Sequence, residues 1–230
     1  MRLLSLTLPL VTIAAILLPP GAGAKPAADE WPLVFRDDFE KGADRWEPTD
    51  PKAWRVDELP GRGKVYHQHQ QSKYTPPHRS PLNIALVKDL VVGDFVLEAD
   101  VRSTSTAGAH RDMCLFFGYQ DPAHFYYVHI AGAAGAADPH ANQIFIVNNE
   151  PRKKISAKST HTQPWDAAWH RVKLVRRIAD GAIEVYFDGG KTPVMTATDK
   201  TFTHGRVGIG SFDDTGYWDN VTIRGMKLAK

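Results

Sequence analysis

The chain has 230 residues, with 28 Lys and Arg against 26 Asp and Glu and a single cysteine. Its charge is nearly balanced and its basic residues are scattered, which removes the electrostatic case for nucleic acid or an anionic membrane surface as partner. One cysteine excludes an internal disulfide, and the place of Cys114 between Met113 and Leu115 predicts a buried, unreactive thiol.

The chain opens with Arg2, an apolar run over residues 3–18 and then PPGAGA. A charged start, an apolar segment and a small-x-small site at Ala22-Gly23-Ala24 predict a secretory signal peptide over 1–24. Pro9 and Pro19 interrupt the run, which is also short for a bilayer span, and no later stretch is apolar enough to cross one. Cleavage after Ala24 leaves 230 − 24 = 206 residues for export, with periplasm, surface and medium all open. That length suits one sandwich or barrel. Residues 25–31 read as a mature N-terminal tail and 32–228 as a single β-sandwich domain.

The first strand is PLVFRDDF, running into an acidic turn. Residues 41–81 are irregular, with short strands expected at 53–57 and 63–67 and a long His- and Gln-rich loop, YHQHQQSKYTPPHRSP. Loops of that length are functional or disordered. From residue 82 the pattern is regular. LNIALVKDL is followed by DFVLEADVR, in which Phe95, Leu97, Ala99 and Val101 alternate with Val96, Glu98, Asp100 and Arg102.

RDMCLFFGYQ, FYYVHIA and NQIFIVNN then read as three neighbouring antiparallel strands, the first two joined by a turn at Asp121-Pro122. PRKK at 151–154 reads as a solvated turn. HRVKLVRRI and AIEVYFD form a hairpin about Asp180-Gly181, and PVMTATD, GRVGIGSF and WDNVTIRGMKL follow. About eleven to thirteen strands with Gly, Asp and Pro turns, and no helix or repeat, predict an all-β antiparallel two-sheet jelly roll.

Four stretches carry a resemblance: RDDFEKGADRW near the start, DFVLEADVR with FYYVHI, WHRVKLVRR with IEVYFDG, and GRVGIGSFDDTGYWDNVTI at the end. Together they resemble the concanavalin A-like lectin/glucanase superfamily. Within it they are most similar to secreted proteins of the 3-keto-disaccharide hydrolase domain family and their laminin-G-like relatives. The resemblance implies a jelly-roll sandwich directed at carbohydrate, either a glycoside hydrolase or a non-catalytic lectin-like module. A structural adhesion domain is the third alternative. The Glu and Gln usual in that hydrolase family fall here on Tyr127 and His129.

Four kinds of site are open. Glycoside hydrolysis needs paired carboxyl groups. Glu98 and Asp100 have one-face spacing, but Arg102 follows on the same face, where it would pair with them. His129 is a further candidate, as a general base. A sugar groove calls for flat and multi-donor side chains. Tyr66, His67, His69, Tyr119, His124, Tyr127, His129 and Gln143 supply them, one sheet face packing the core and the other lining the groove. His67-x-His69, His124, His129 and Asp138-x-His140 suit a transition metal. Asp38, Glu40 and Asp219, with Asp37, Asp213 and Asp214 nearby in sequence, suit a structural Ca²⁺ tying the first strand to the last. No motif for an organic cofactor is present.

Overall fold

Alternating apolar and polar side chains become sixteen strands in a computed structural model that describes residues 30–105, 111–132, 140–160 and 165–228. In chain order they are β1 (Leu33–Asp37), β2 (Trp46–Pro48), β3 (Trp54–Leu59), β4 (Gly63–Gln68), β5 (Asn83–Val87), β6 (Val92–Ser103), β7 (Met113–Asp121) and β8 (His124–Ile130). There follow β9 (Gln143–Asn148), β10 (Lys153–Lys154), β11 (Ser156–Ser159), β12 (His170–Arg176), β13 (Ala182–Phe187), β14 (Met195–Thr198), β15 (Arg206–Ser211) and β16 (Gly216–Lys227). A 3-10 turn at Pro51–Ala53 precedes β3. The expected signal peptide at 1–24 lies outside the described residues. Trp31, read from sequence as part of the tail, is buried against Val96 and Val175.

One sheet has nine strands in the order β11-β14-β13-β12-β6-β16-β4-β3, with β1 also paired to β16. The other has seven, β10-β9-β8-β7-β15-β5-β2. Neighbouring strands run antiparallel in both sheets, so side chains two residues apart share a face. The core lies between the sheets. Leu97, Val172 and Trp218 from the nine-stranded sheet meet Leu115, Val128, Ile144 and Ile209 from the seven-stranded one, all 0% exposed.

The first and last strands lie side by side, as expected, with Asp37 opposite Val221. The acidic turn after β1 is held together from within. Buried Asp37 accepts from Phe39 N at 3.0 Å and from Trp46 Nε1 at 3.0 Å. In β15, Gly208 and Gly210 permit close approach of β5. A Cβ on Gly210 would stand 1.8 Å from the Asn83 carbonyl oxygen.

The sequence reading missed β2, β10 and β11, which have two to four residues each and show no periodicity. PRKK is also more than a solvated turn. Lys153 and Lys154 form the edge strand β10, and Arg152 packs its guanidinium over Phe212, 4.2 Å from the ring centre.

Candidate functional site

The predicted site residues separate onto two different faces. The loop between β4 and β5, residues 69–82, explains why. It leaves the nine-stranded sheet, passes over the outer face of the seven-stranded sheet and returns to β5. At its far reach His78 Nε2 lies 3.3 Å from Asn149 Oδ1, and Arg152 N donates to the Arg79 carbonyl at 3.0 Å, both beyond β9. At its near end Ser72 N donates to Asn83 Oδ1 at 2.7 Å.

Beneath this strap the outer face of the seven-stranded sheet is apolar. Phe116, Phe125, Tyr127, Phe145 and Val147 form a second cluster, closed over by half-buried Tyr74 and Phe212. The expectation that Tyr127 and His129 line an open groove therefore changes. They do share a face, with rings 6.4 Å apart, but they are 0% and 1% exposed. Tyr127 stacks on Phe145 at 5.0 Å and its hydroxyl accepts from Arg152 at 3.1 Å, while burial pushes the phenol far up. Tyr119 belongs to the same cluster, and Gln143 lies directly opposite His129. Tyr66 sits in the main core, 4.6 Å from Trp54 and 5.3 Å from Phe39 between ring centres. His124 is at the hairpin turn, bound to Asp121 at 2.8 Å.

At one end of that covered face a polar group collects around Asp112. His129 Nε2 is 3.8 Å from Asp112 Oδ1, and Cys114 Sγ is 3.8 Å from the same oxygen. The carboxylate also accepts from Phe212 N and, at 3.4 Å, from Asp213 N. Burial pushes the Asp112 carboxyl well up, and the nearby Asp214 and Asp213 add to this against the Phe212 N–H. Cys114 is buried as expected, and burial raises its thiol.

The outer face of the nine-stranded sheet is covered by Trp31 over Val96 and Val175 and is partly exposed at Trp169 and Tyr217. Its central feature is a row of flat groups. His69 lies 5.9 Å from His67, His67 lies 4.2 Å from Tyr217, Tyr217 lies 6.1 Å from Trp169, and the Arg62 guanidinium sits 3.7 Å over the Trp169 ring. His67 and Tyr217 are cross-strand partners on β4 and β16, which fixes their contact. Of the six tryptophans in the chain, five are buried; Trp169 is partly exposed.

Carboxylates border this row. Arg62 binds Asp219 at 2.7 Å and Asp100 at 2.5 Å, and Arg171 binds Asp100 at 3.0 Å and approaches Glu98 at 3.6 Å. The expected partner, Arg102, instead donates to the Ala167 carbonyl at 2.8 Å. Burial raises the Asp219 carboxyl although Arg62 opposes it. Next to Arg171 a depression of about 420 Å³ is lined by Glu98, Lys173, Tyr186 and the Gly189-Gly190-Lys191 turn, a volume that suits a small ligand.

The expected ion ligands Asp38, Glu40 and Asp219 do not come together. Glu40 Oε1 accepts from Lys64 N at 2.8 Å, Asp38 Oδ1 accepts from Glu40 N at 3.4 Å, and Asp219 is held by Arg62. Among the described residues, the groups whose ligand atoms lie within 4.8 Å of one another are Asp112, Cys114, His129 and Asp112, Asp213, Asp214. His67 is held by Asp57 at 2.6 Å and His69 by the Lys52 carbonyl at 3.1 Å, so the His-x-His pair serves local bonds. Asp138 lies outside the described residues.

No family model matches the chain, and no curated protein matches it. Solved structures do. The chain is similar to the carbohydrate binding module CBM66 from Bacillus subtilis, at 18% identity and TM-score 0.55, covering 79% of this chain and 96% of that one. It is similar to domain 4 of AbnA, a GH43 extracellular arabinanase from Geobacillus stearothermophilus in complex with arabinotriose, at 11% identity and TM-score 0.55, covering 87% and 95%. It is also similar to winged bean acidic lectin complexed with methyl-alpha-D-galactose, at 13% identity and TM-score 0.56, covering 85% and 98%. The fold is a lectin-like jelly roll. At these identities the likeness speaks to fold alone. The narrower resemblance to the 3-keto-disaccharide hydrolase family has no family-model match behind it.

Trp169 was absent from the candidates read out of the sequence. It opens the WHRVKLVRR stretch that carries part of the resemblance, but it lies just before β12, outside any alternating pattern, and nothing in the sequence marks it for a binding role.

Proposed function

We propose that this chain is an exported, non-catalytic carbohydrate-binding module whose sugar site is the row Trp169, Tyr217 and His67 on the nine-stranded sheet. The partly exposed Trp169 carries the reading, because indoles and phenols bind sugar C–H faces. Arg62, Arg171, Asp100 and Asn220 lie beside it and supply donors and acceptors for hydroxyl groups. The sugar-binding neighbours of the same fold support the substrate class.

A second reading, a hydrolase, has one observation in its favour. Asp100 and Asp219 face each other across β6 and β16, and burial raises Asp219 toward the protonated form that a general acid needs. Against it, one guanidinium bridges both acids and would have to leave before a glycosidic bond could sit between them.

A glycan panel including 3-keto-glucosides, read by thermal shift and by product formation, separates the two. The module reading expects a thermal shift without product. Turnover that disappears in Asp219→Asn would replace it with the hydrolase.

A further inference from the structure

The outer face of the seven-stranded sheet ends in a group that the sugar reading does not use. Asp112, Cys114 and His129 are each 0–1% exposed, and their ligand atoms lie within 4.8 Å of one another. Strand pairing builds the group: Cys114 on β7 stands directly opposite His129 on β8, and Asp112 precedes β7.

From these positions we infer that Asp112, Cys114 and His129 form a buried zinc site. His129 Nδ1 lies 2.8 Å from the His140 carbonyl. A carbonyl can only accept, so Nδ1 carries the proton and the neutral ring presents its lone pair at Nε2, on the side of Asp112. A backbone carbonyl holding the far ring nitrogen is the usual outer support of a metal-bound histidine. The 3.8 Å from Asp112 Oδ1 to Nε2 is too long for an ordinary N–H···O hydrogen bond, and Cys114 Sγ, 3.8 Å from the same oxygen, donates a long S–H···O bond to it. Both separations approach the roughly 3.4 to 3.6 Å edges of a tetrahedron built with zinc–ligand bonds of about 2.0 to 2.3 Å.

A second feature points the same way. Gln143 is directly opposite His129, is 6% exposed, and its Oε1 has no hydrogen-bond partner among the described residues. A buried amide oxygen without a partner thus belongs to the residue that faces His129 across the strand pair. The mixed nitrogen, sulfur and oxygen set favours zinc over a hard cation such as calcium. Binding replaces the Cys114 S–H bond by a sulfur–zinc bond and sends the proton to solvent. Thiolate and carboxylate together offset the ion's two charges. The site is independent of the sugar row, which lies on the other sheet.

Cobalt(II) reports on this site cleanly because Cys114 is the chain's one cysteine, so any thiolate-to-cobalt charge-transfer band belongs to it. Purified protein stripped with a chelator and dialysed against cobalt should take up one ion per chain. It should show that near-ultraviolet band with intense tetrahedral bands in the visible, and lose both on adding zinc. His129→Gln, checked for a β-rich circular dichroism spectrum, should lose them too, and Asp112→Asn serves if that variant does not fold. Cobalt bound without the thiolate band, no cobalt retained, or a band that survives a folded His129→Gln would each overturn the site.

Discussion

At His67 two influences compete on one imidazole. The Asp57 carboxylate 2.6 Å away favours the charged ring, but burial disfavours it more, and the balance lowers the pKa below its ordinary 6.5. In the window from 6.5 down to the folded value, the unfolded chain binds a proton that the folded chain refuses. This contribution to stability is therefore complete above 6.5 and is lost as pH falls through the folded pKa. An NMR titration should place His67 below 6.5, and His67→Gln should flatten the acid slope of unfolding free energy; a value above 6.5 would contradict the balance. Asp37 is a second residue with a single clear role. Removing its side chain strands the Phe39 N–H and the Trp46 indole N–H in the interior. Asp37→Ala should cost about 2 to 4 kcal/mol in urea unfolding, and added calcium should leave the melting temperature unchanged. Loss under 0.5 kcal/mol, roughly the level of an ordinary surface change, would show that the turn holds without Asp37.

Among the elements, the long strands were legible and the strap was not. β6 shows eight alternating residues and β8 places Tyr127 and His129 on one side, as their spacing required. What covers that side could not be read. Residues 69–82 have no periodicity, and their contacts with Asn149 and Arg152 join positions about 70 apart in the chain. The same blindness put Tyr127 in an open groove, because alternation gives the face of a strand and says nothing of a loop laid over it. What the strap contributes is measurable. Tyr74 packs on the apolar outer cluster. Tyr74→Ser should lower stability by about 2 kcal/mol and raise binding of a hydrophobic dye. An unchanged dye signal would show that the outer cluster is closed without it.

At the scale of the molecule, the two sheets have opposite outer faces. The seven-stranded sheet is covered by aromatic and apolar side chains and holds a buried polar group at one end. The nine-stranded sheet is covered by Trp31 over Val96 and Val175 and elsewhere carries the partly exposed flat row with its charged border. The jelly roll was legible because turn chemistry and alternation recur along most of the chain. Part of the proposed site coincides with residues singled out from the sequence, in other roles as well. His67, His69, Glu98, Asp100 and Asp219 do meet on one face, although they were drawn from three different hypotheses. Trp169 and Tyr217, which join them, lie where sequence distance hides the contact: Tyr217 reaches His67 across 150 residues. Trp169 fluorescence tests the sugar row most directly, since its ring is the partly exposed one of six. Titration with the best glycan of the panel should change tryptophan emission in the native protein, and Trp169→Ala should abolish that change and weaken affinity about tenfold or more, about 1.4 kcal/mol. A glycan that binds the folded Trp169→Ala protein as tightly as the native one would contradict the assignment of the sugar site to this face.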